Sequence, residues 1–396
     1  MKAVVLGGGG LTGQSTVRDL ATGGLFDSVV SADLDEGLAK ASAKAAGPRA
    51  SALAIDVRKK PAVVKLLKGA DVLVNAVQYN FNLDVMAAAL EAHVPYLDFG
   101  GLFHMTRRQL EMDEQFRKAK LVAIPGLGQV PGISNVLAMQ ACADLDKVES
   151  LIIRDGWRDL SVGAPEINFT WSPSTFLDEM VLKAQVFENG AYKEYPAMSG
   201  GEEYEFGPPV GKTKVYRTLH SEPATLPDSL KSKGIQHCEW KEGGPGIDLL
   251  RTMALLGLAG DEPLDVKGQM VKPRDFTLAL LKHGKLLGAP EGLVPNDWEL
   301  FDIEIKGSKG GKPVLRHAVG RFPPRPDWHL TATEYVVGIA GAVGAELIVQ
   351  GKVTEVGVVP PERCIPPAPF RAALAKRGVE TTITPLEPPL PPWKSK

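Results

Sequence analysis

Gly8, Gly10 and Gly13, in the opening stretch MKAVVLGGGGLTGQ, have the spacing GxGxxG between an apolar run and a helical pattern. At that position such glycines let a chain turn tightly, approach a pyrophosphate with its backbone, and pack a helix closely on a strand. The helix N-terminus then offers free N–H groups to the phosphates. Leu11 and Thr12 fall inside this turn, and Thr12 adds a hydroxyl. Gly7 and Gly9 read as permissive spacers. Asp33 ends the second apolar run, SVVSAD, 20 positions after Gly13. A carboxylate there accepts hydrogen bonds from a ribose and repels a 2′-phosphate, so these residues imply a dinucleotide, with NAD preferred over NADP. Asp56 and Val57 end the third run and are expected near the adenine. Asn75 and Ala76 end the fourth and are expected beside the middle of the cofactor.

The elements that must position these residues alternate regularly. Apolar runs (AVVLG, SVVSAD, SALAID, DVLVNAV, PYLDF, LVAIPG) are separated by helical patterns, the last being a charged helix over RRQLEMDEQFRKA. Strands alternating with helices, and continuously apolar, predict an α/β fold with a doubly wound parallel sheet of Rossmann type over residues 1–127. A second, mixed α/β domain is expected over 128–328, with strands at LIIRDGW, INFTW, KVYRTL and WELFDIEIKG. The segment 329–385 carries the helix TATEYVVGIAGAVGAELIVQG, whose Gly338, Gly341 and Gly344 allow close packing on the first domain. A Pro-rich tail fills 386–396.

Composition excludes several classes. The 396 residues carry 45 Lys+Arg and 47 Asp+Glu, a formal charge of −2, so there is no basic face for nucleic acid. The apolar run between Glu334 and Glu346 is too short to span a bilayer, and reads as a buried helix. The run after Met1-Lys2 is too short for a signal-peptide core, and three dispersed cysteines fit a reducing compartment, so a cytoplasmic protein is expected. The seven histidines show no HxH or HExxH spacing, and no metal is expected.

The succession GGGGLTG, AD, DV, NAVQYNFNLDVMAAALEAHVPYLDF, GLGQVPGISN, FTWSP, LDEM, FENG and VGVVPPE resembles the saccharopine dehydrogenase family, in particular its lysine 6-dehydrogenase-like branch. The resemblance implies NAD(P)-linked oxidation at the CH–NH group of an amino acid, or reductive amination in reverse, and a homodimer. It places Tyr79 near the nicotinamide and Gln129 to Asn135 in a turn that opens a helix beside the cofactor. Arg154 to Arg158 depart from the less charged turn of lysine dehydrogenase-like chains. Alternatives are a reductase that condenses an amine with an aldehyde or keto acid, giving a carboxynorspermidine- or saccharopine-like product, and an NAD(H)-binding sensor without turnover.

Amine oxidation needs a base and a carboxylate clamp besides the hydride path. Asp98, Tyr79 and His220 compete for the base. Arg154 and Arg158 are the clamp candidates, because a guanidinium grips a carboxylate bidentately. Gln129, Asn135 and Trp171 are expected to line the substrate, and Glu179 is either an interdomain partner or an amine-binding carboxylate.

Overall fold

A computed structural model describes residues 1–165, 167–289 and 291–386. The chain forms two compact units. The first comprises Met1–Gln140, Ala224–Ser229 and Thr333–Glu380, and the second Ala141–Pro223, Leu230–Ala332 and the residues from Thr381.

The first unit is built on strands β1 (Lys2–Leu6), β2 (Ser28–Asp33), β3 (Ala50–Ala54), β4 (Val72–Asn75), β5 (Tyr96–Asp98) and β6 (Val122–Ile124). They pair in parallel in the order β3-β2-β1-β4-β5-β6, and a two-residue strand, Gly357–Val358, extends the sheet beyond β6. Val4, Leu6, Val30, Ala32, Leu73 and Tyr96 are buried in one core cluster, which is why these runs carry no polar alternation. The charged helix divides into Leu102–Leu110 and Asp113–Lys118.

The C-terminal helices return to this unit. Helix Ala332–Val349, the one described helix long and apolar enough to cross a membrane, is 72% buried inside the protein. Ser15 donates to the Tyr335 carbonyl (2.9 Å) and Thr16 to that of Gly338 (3.0 Å), clamping it on the helix Gly13–Thr22.

The second unit is a nine-stranded mixed sheet. Its strands are β7 (Lys147–Asp159), β8 (Ala184–Glu188), β9 (Ala191–Tyr195), β10 (Ser199–Glu205), β11 (Lys212–Arg217), β12 (His237–Gly243), β15 (Asp297–Lys309), β16 (Lys312–Phe322) and a last strand, Glu380–Leu386. The hairpin β13 (Leu264–Val266) and β14 (Gln269–Val271) stands apart as a two-stranded sheet. The path runs β10-β11-β12-β7-β15-β16, with β12 parallel to β7 and β15 antiparallel to it.

Three expectations change. INFTW forms no strand: Phe169 makes one bridge to Leu287, while Phe169 and Trp171 turn into an apolar cluster around Phe176. The first unit does not stop at residue 127 but takes in the chain to Gln140, and Glu380–Leu386 joins the second sheet instead of the first. The tail beyond Leu386 lies outside the described residues.

A Cβ at Gly338 would sit 2.6 Å from both the Thr12 carbonyl oxygen and the Ser15 Cβ. Alanine gains about 1 kcal/mol of helix propensity at an interior glycine, but overpacking against backbone costs about 1–3 kcal/mol. Gly338→Ala is therefore expected to lower the unfolding free energy by about 1–2 kcal/mol in urea titration, against the usual sign for this substitution.

Candidate active site

In the first unit the glycine loop joins β1 to the helix Gly13–Thr22. A Cβ on Gly8 would lie 2.7 Å from Ser31 Oγ of β2, and one on Gly13 only 2.1 Å from the Gly7 carbonyl oxygen. Gly7 and Gly9 are not mere spacers. Gly7 has φ +73° with the Ala76 carbonyl oxygen 2.6 Å from its Cβ position, and a Cβ on Gly9 would meet Leu38 at 2.7 Å. Gly10 differs: its nearest neighbour would be the Gly7 carbonyl at 3.2 Å. The protein's own packing thus explains four of the glycines, and the open side at Gly10 fits close approach of a pyrophosphate. Thr12 takes the N-cap position but its side chain makes no capping bond, so the first turn keeps its donors for a ligand. Asp33 Oδ2 accepts the Gly9 N–H (3.0 Å) and its Oδ1 that of Asp35 (3.1 Å), which aims the half-buried carboxylate at the loop. The residues fit a dinucleotide.

Other predicted positions have different occupations. Asp56 is held by Arg58, whose Nε and Nη2 lie 2.8 Å from its two oxygens, and this pairing keeps its carboxyl below the usual range. Val57 beside it is half-buried. Asn75 donates to Asn82 (3.0 Å) and to the Tyr96 hydroxyl (3.1 Å), while its Oδ1 is buried without a partner. Tyr79 begins a single turn, Tyr79–Phe81, directly after β4 and is half-buried.

Asp98 does not suit a base. It is 1% exposed and accepts from Tyr96 (2.6 Å), Gln109 (2.5 Å) and the N–H groups of Gly100 and Gly126 (2.8 Å each), so its lone pairs are spent on joining β5 to its neighbours. Asn135 is likewise consumed, accepting from Gly132 N–H and donating to Thr225 (3.3 Å) and Glu362 (3.0 Å). Gln129 is the opposite case. It is fully buried, and neither atom of its amide has a partner in the protein.

In the second unit, strand alternation decides which residues meet. Arg154 pairs with Lys241 and Asp155 with Glu242 across β7 and β12. Successive side chains point to opposite faces, so Arg154 and Arg158 stand on one face while Asp155, Trp240 and Glu242 stand on the other. On the first face Arg154 donates to Glu202 (2.8 Å), lies 3.9 Å from Glu304 and stacks over Tyr204 at 4.5 Å. It is a structural ion pair, and neither arginine can clamp a substrate held on the far face. Arg158 is half-exposed. Trp171 packs edge-on against Phe176 (5.6 Å) as a wall residue of the apolar cluster.

The second face carries the most unusual electrostatics. His220 stacks on Trp240, with ring centroids 3.8 Å apart and planes within 7°. Its Nδ1 bonds Glu222, and its Nε2 lies 4.0 Å from Glu179, which comes from the helix Pro173–Val181. Trp240 Nε1 donates to Thr218 (3.1 Å), whose hydroxyl donates to Glu242 (2.5 Å). Asp155 and Glu299 complete the group. All five carboxylates are 7% exposed or less, with one imidazole among them, and Glu179 Oε2 and Asp155 Oδ1 have no partner. Burial, and then the neighbouring acids, push Glu179 and Asp155 well above the carboxylate range, and Glu242 is also raised. Burial opposes charge on His220, but Glu222, Glu242 and Glu299 outweigh it and raise its pKa. Sequence reasoning found His220 and Glu179 but missed the other four. Their signal is parity: in HCEWKEG, Glu242 shares the inward register of Trp240. Among the described residues no group of His, Cys, Asp and Glu is placed to hold a metal.

The parallel order β3-β2-β1-β4-β5-β6 with this loop defines a Rossmann dinucleotide-binding protein, coupled to a mixed-sheet unit with a buried acid–imidazole group. The chain belongs to the saccharopine dehydrogenase family of NAD(P)-linked oxidoreductases. Residues 3–124 match the saccharopine dehydrogenase NADP binding domain, and residues 128–379 its C-terminal domain. It is 26% identical to carboxynorspermidine synthase of Vibrio alginolyticus over 85% of this chain and 82% of that one. It is 25% identical to carboxyaminopropylagmatine dehydrogenase of Synechocystis over 96% of each chain. Saccharopine dehydrogenase (L-Glu forming) of Saccharomyces cerevisiae shares the fold with a TM-score of 0.72 at 17% identity, over 98% of this chain and 100% of that one. Homospermidine synthase of Legionella pneumophila, solved with NAD, does so at 0.66 and 11%, over 97% and 91%.

Because the folded pKa of Glu179 is raised, its contribution to stability is present below the unfolded carboxyl pKa and lost as pH rises toward the folded value. Glu179→Gln stays neutral throughout. It is expected to raise the unfolding free energy at about pH 8 by about 1 kcal/mol or more, and to match wild type near about pH 4, in urea unfolding. A loss of stability at the higher pH would mean that Glu179 is ionised and paired.

Proposed function

We propose that the protein is an NAD-linked oxidoreductase that makes or breaks the C–N bond of a secondary amine, one side of which is a carboxylated carbon chain and the other an amine with a further cationic group. The observation that carries this reading is the buried surplus of carboxylates around His220. An amino acid with one reacting amine needs no such surplus, whereas a diamine or guanidino-amine supplies the positive charge that Glu179 and Asp155 lack. The names of the two sequence relatives, a carboxynorspermidine synthase and a carboxyaminopropylagmatine dehydrogenase, support the same choice over a lysine 6-dehydrogenase-like deamination.

In the condensing direction the amine adds to an aldehyde, water leaves, and the C=N bond takes up hydride and a proton to give the secondary amine. The dinucleotide, when bound, supplies the hydride. His220, oriented by Glu222, takes the ammonium proton and returns one as water departs. Glu179 and Asp155 hold the distal cation, and the stack on Trp240 fixes the imidazole plane. Gln129 offers its free amide to the ligand, and Gly8, Gly10, Thr12 and Gly13 hold the pyrophosphate.

Purified protein with NADH, an amino-acid semialdehyde and a series of amines, followed at 340 nm with mass detection of product, tests this. Turnover should be fast with diamines and at least about tenfold slower in kcat/KM with monoamines of equal length, the 1.4 kcal/mol scale of one charged contact. Reduction of NAD by lysine alone would overturn the reading, and dinucleotide binding without turnover of any amine would favour a sensor.

Asp33 is assigned to the ribose, and Leu34 and Asp35 after it supply no cation for a 2′-phosphate. Asp33→Ala is expected to lower the NAD/NADP ratio of kcat/KM by about tenfold or more. An unchanged ratio would remove Asp33 from the ribose site.

A further inference from the structure

Residues 249–280 of the second unit fold on themselves and leave an apolar face uncovered. The helix Ile247–Leu255 buries Ile247 and Leu250, and the helix Pro273–His283 buries Thr277 and Leu281. Arg274 N–H donates to the Gly260 carbonyl (3.0 Å) and Thr277 to that of Leu258 (2.7 Å), so the turn after the first helix is tied to the start of the second. Yet Leu255, Leu256, Leu264, Met270, Phe276 and Leu280 are between 54% and 74% exposed. Phe276 and Leu280, four apart, form a second apolar stripe opposite the buried one.

With Val266 these side chains expose roughly 800 Å², above the ~300–600 Å² of the largest patch on a typical monomer and equal to the ~800 Å² each partner gives to a standard interface. The hairpin β13–β14 points the same way. All six residues but Val271 are exposed, both its edges are unpaired within the fold, and an isolated two-stranded hairpin is marginal in water.

We propose that this face is where two copies of the chain pair about a two-fold axis. Its ionisable rim argues for this occupant. Asp261, Glu262, Asp265 and Asp275 are interleaved with Lys267, Lys272 and Lys282, and all are exposed. A surface that meets itself across a two-fold must carry both signs. A lipid-binding face would instead be rich in Lys and Arg.

The test uses the full-length protein in sedimentation velocity at about 10 μM, where a dimer of micromolar or better affinity is well populated. Wild type should sediment as a dimer. Leu256→Glu with Phe276→Glu should shift it to monomer, as should Val266→Lys alone, which lies on the exposed hairpin and cannot disturb the core if the double variant fails to fold by circular dichroism. A monomeric wild type, or a dimer that persists in the folded variants, overturns the proposal. So does a monomeric wild type that pelts with phosphatidylglycerol vesicles, which would assign the face to lipid.

Discussion

Burying charge without a matching partner is the constraint on which the rest of this molecule turns. A carboxylate taken out of water must be paired, be hydrogen-bonded or take up a proton. The two faces of the second sheet meet this demand differently. On one, Arg154, Arg217 and Lys241 meet Glu202, Glu239 and Glu304, and Glu239 is pulled down to about 2, despite its burial, by His237, Lys241 and Arg217. On the other, five acids share one imidazole, and the raised pKa values of Asp155, Glu179 and Glu242 express the missing charge. The same strands build both faces, so the difference cannot come from the backbone. It comes from side-chain chemistry alternating with a period of two.

The first unit solves the complementary problem of bringing backbone, not charge, to a ligand. Its loop is so crowded that four of its five glycines are required by Ala76, Ser31, Leu38 and Gly7 itself. Only Gly10 is left without an internal reason to lack a side chain. Asp33 belongs to the same construction, since its bond to Gly9 places a negative charge where the loop's donors converge.

The parallel sheet was legible because its strands are uninterrupted apolar runs at even spacing, and because Asp33 stands where β2 must end. The second unit was less so. INFTW has strand-like residues, but Pro173 and the Ser172 cap start a helix at once, and Phe169 and Trp171 find their partners in a side-chain cluster instead of a ladder. Asp98 ends a strand at the carboxyl edge of a Rossmann sheet, a position that resembles a catalytic one. Sequence cannot show that Tyr96, Gln109, Gly100 and Gly126 all donate to it. Arg154 and Arg158 were joined in expectation with His220 because all three suit amino-acid chemistry. Only the pairing of Lys241 with Arg154 and of Glu242 with Asp155 reveals that a sheet lies between them.

That separation also explains how a site of this kind is tolerated. Unpaired acids destabilise the fold, and a protein retains them where the compensating charge arrives with a ligand. The ion-paired face opposite and the packing of Phe169, Phe176, Met180 and Ile247 supply the rigidity that holds Glu179 and Glu242 near each other against their repulsion. His220 is then the one group that can be charged in every state: Glu222 fixes its Nδ1, and Trp240 fixes its plane. Its Nε2 is left facing Glu179 at 4.0 Å, too far for a hydrogen bond between them. A reacting amine nitrogen placed between the two would find an acid–base partner on one side and an anion on the other.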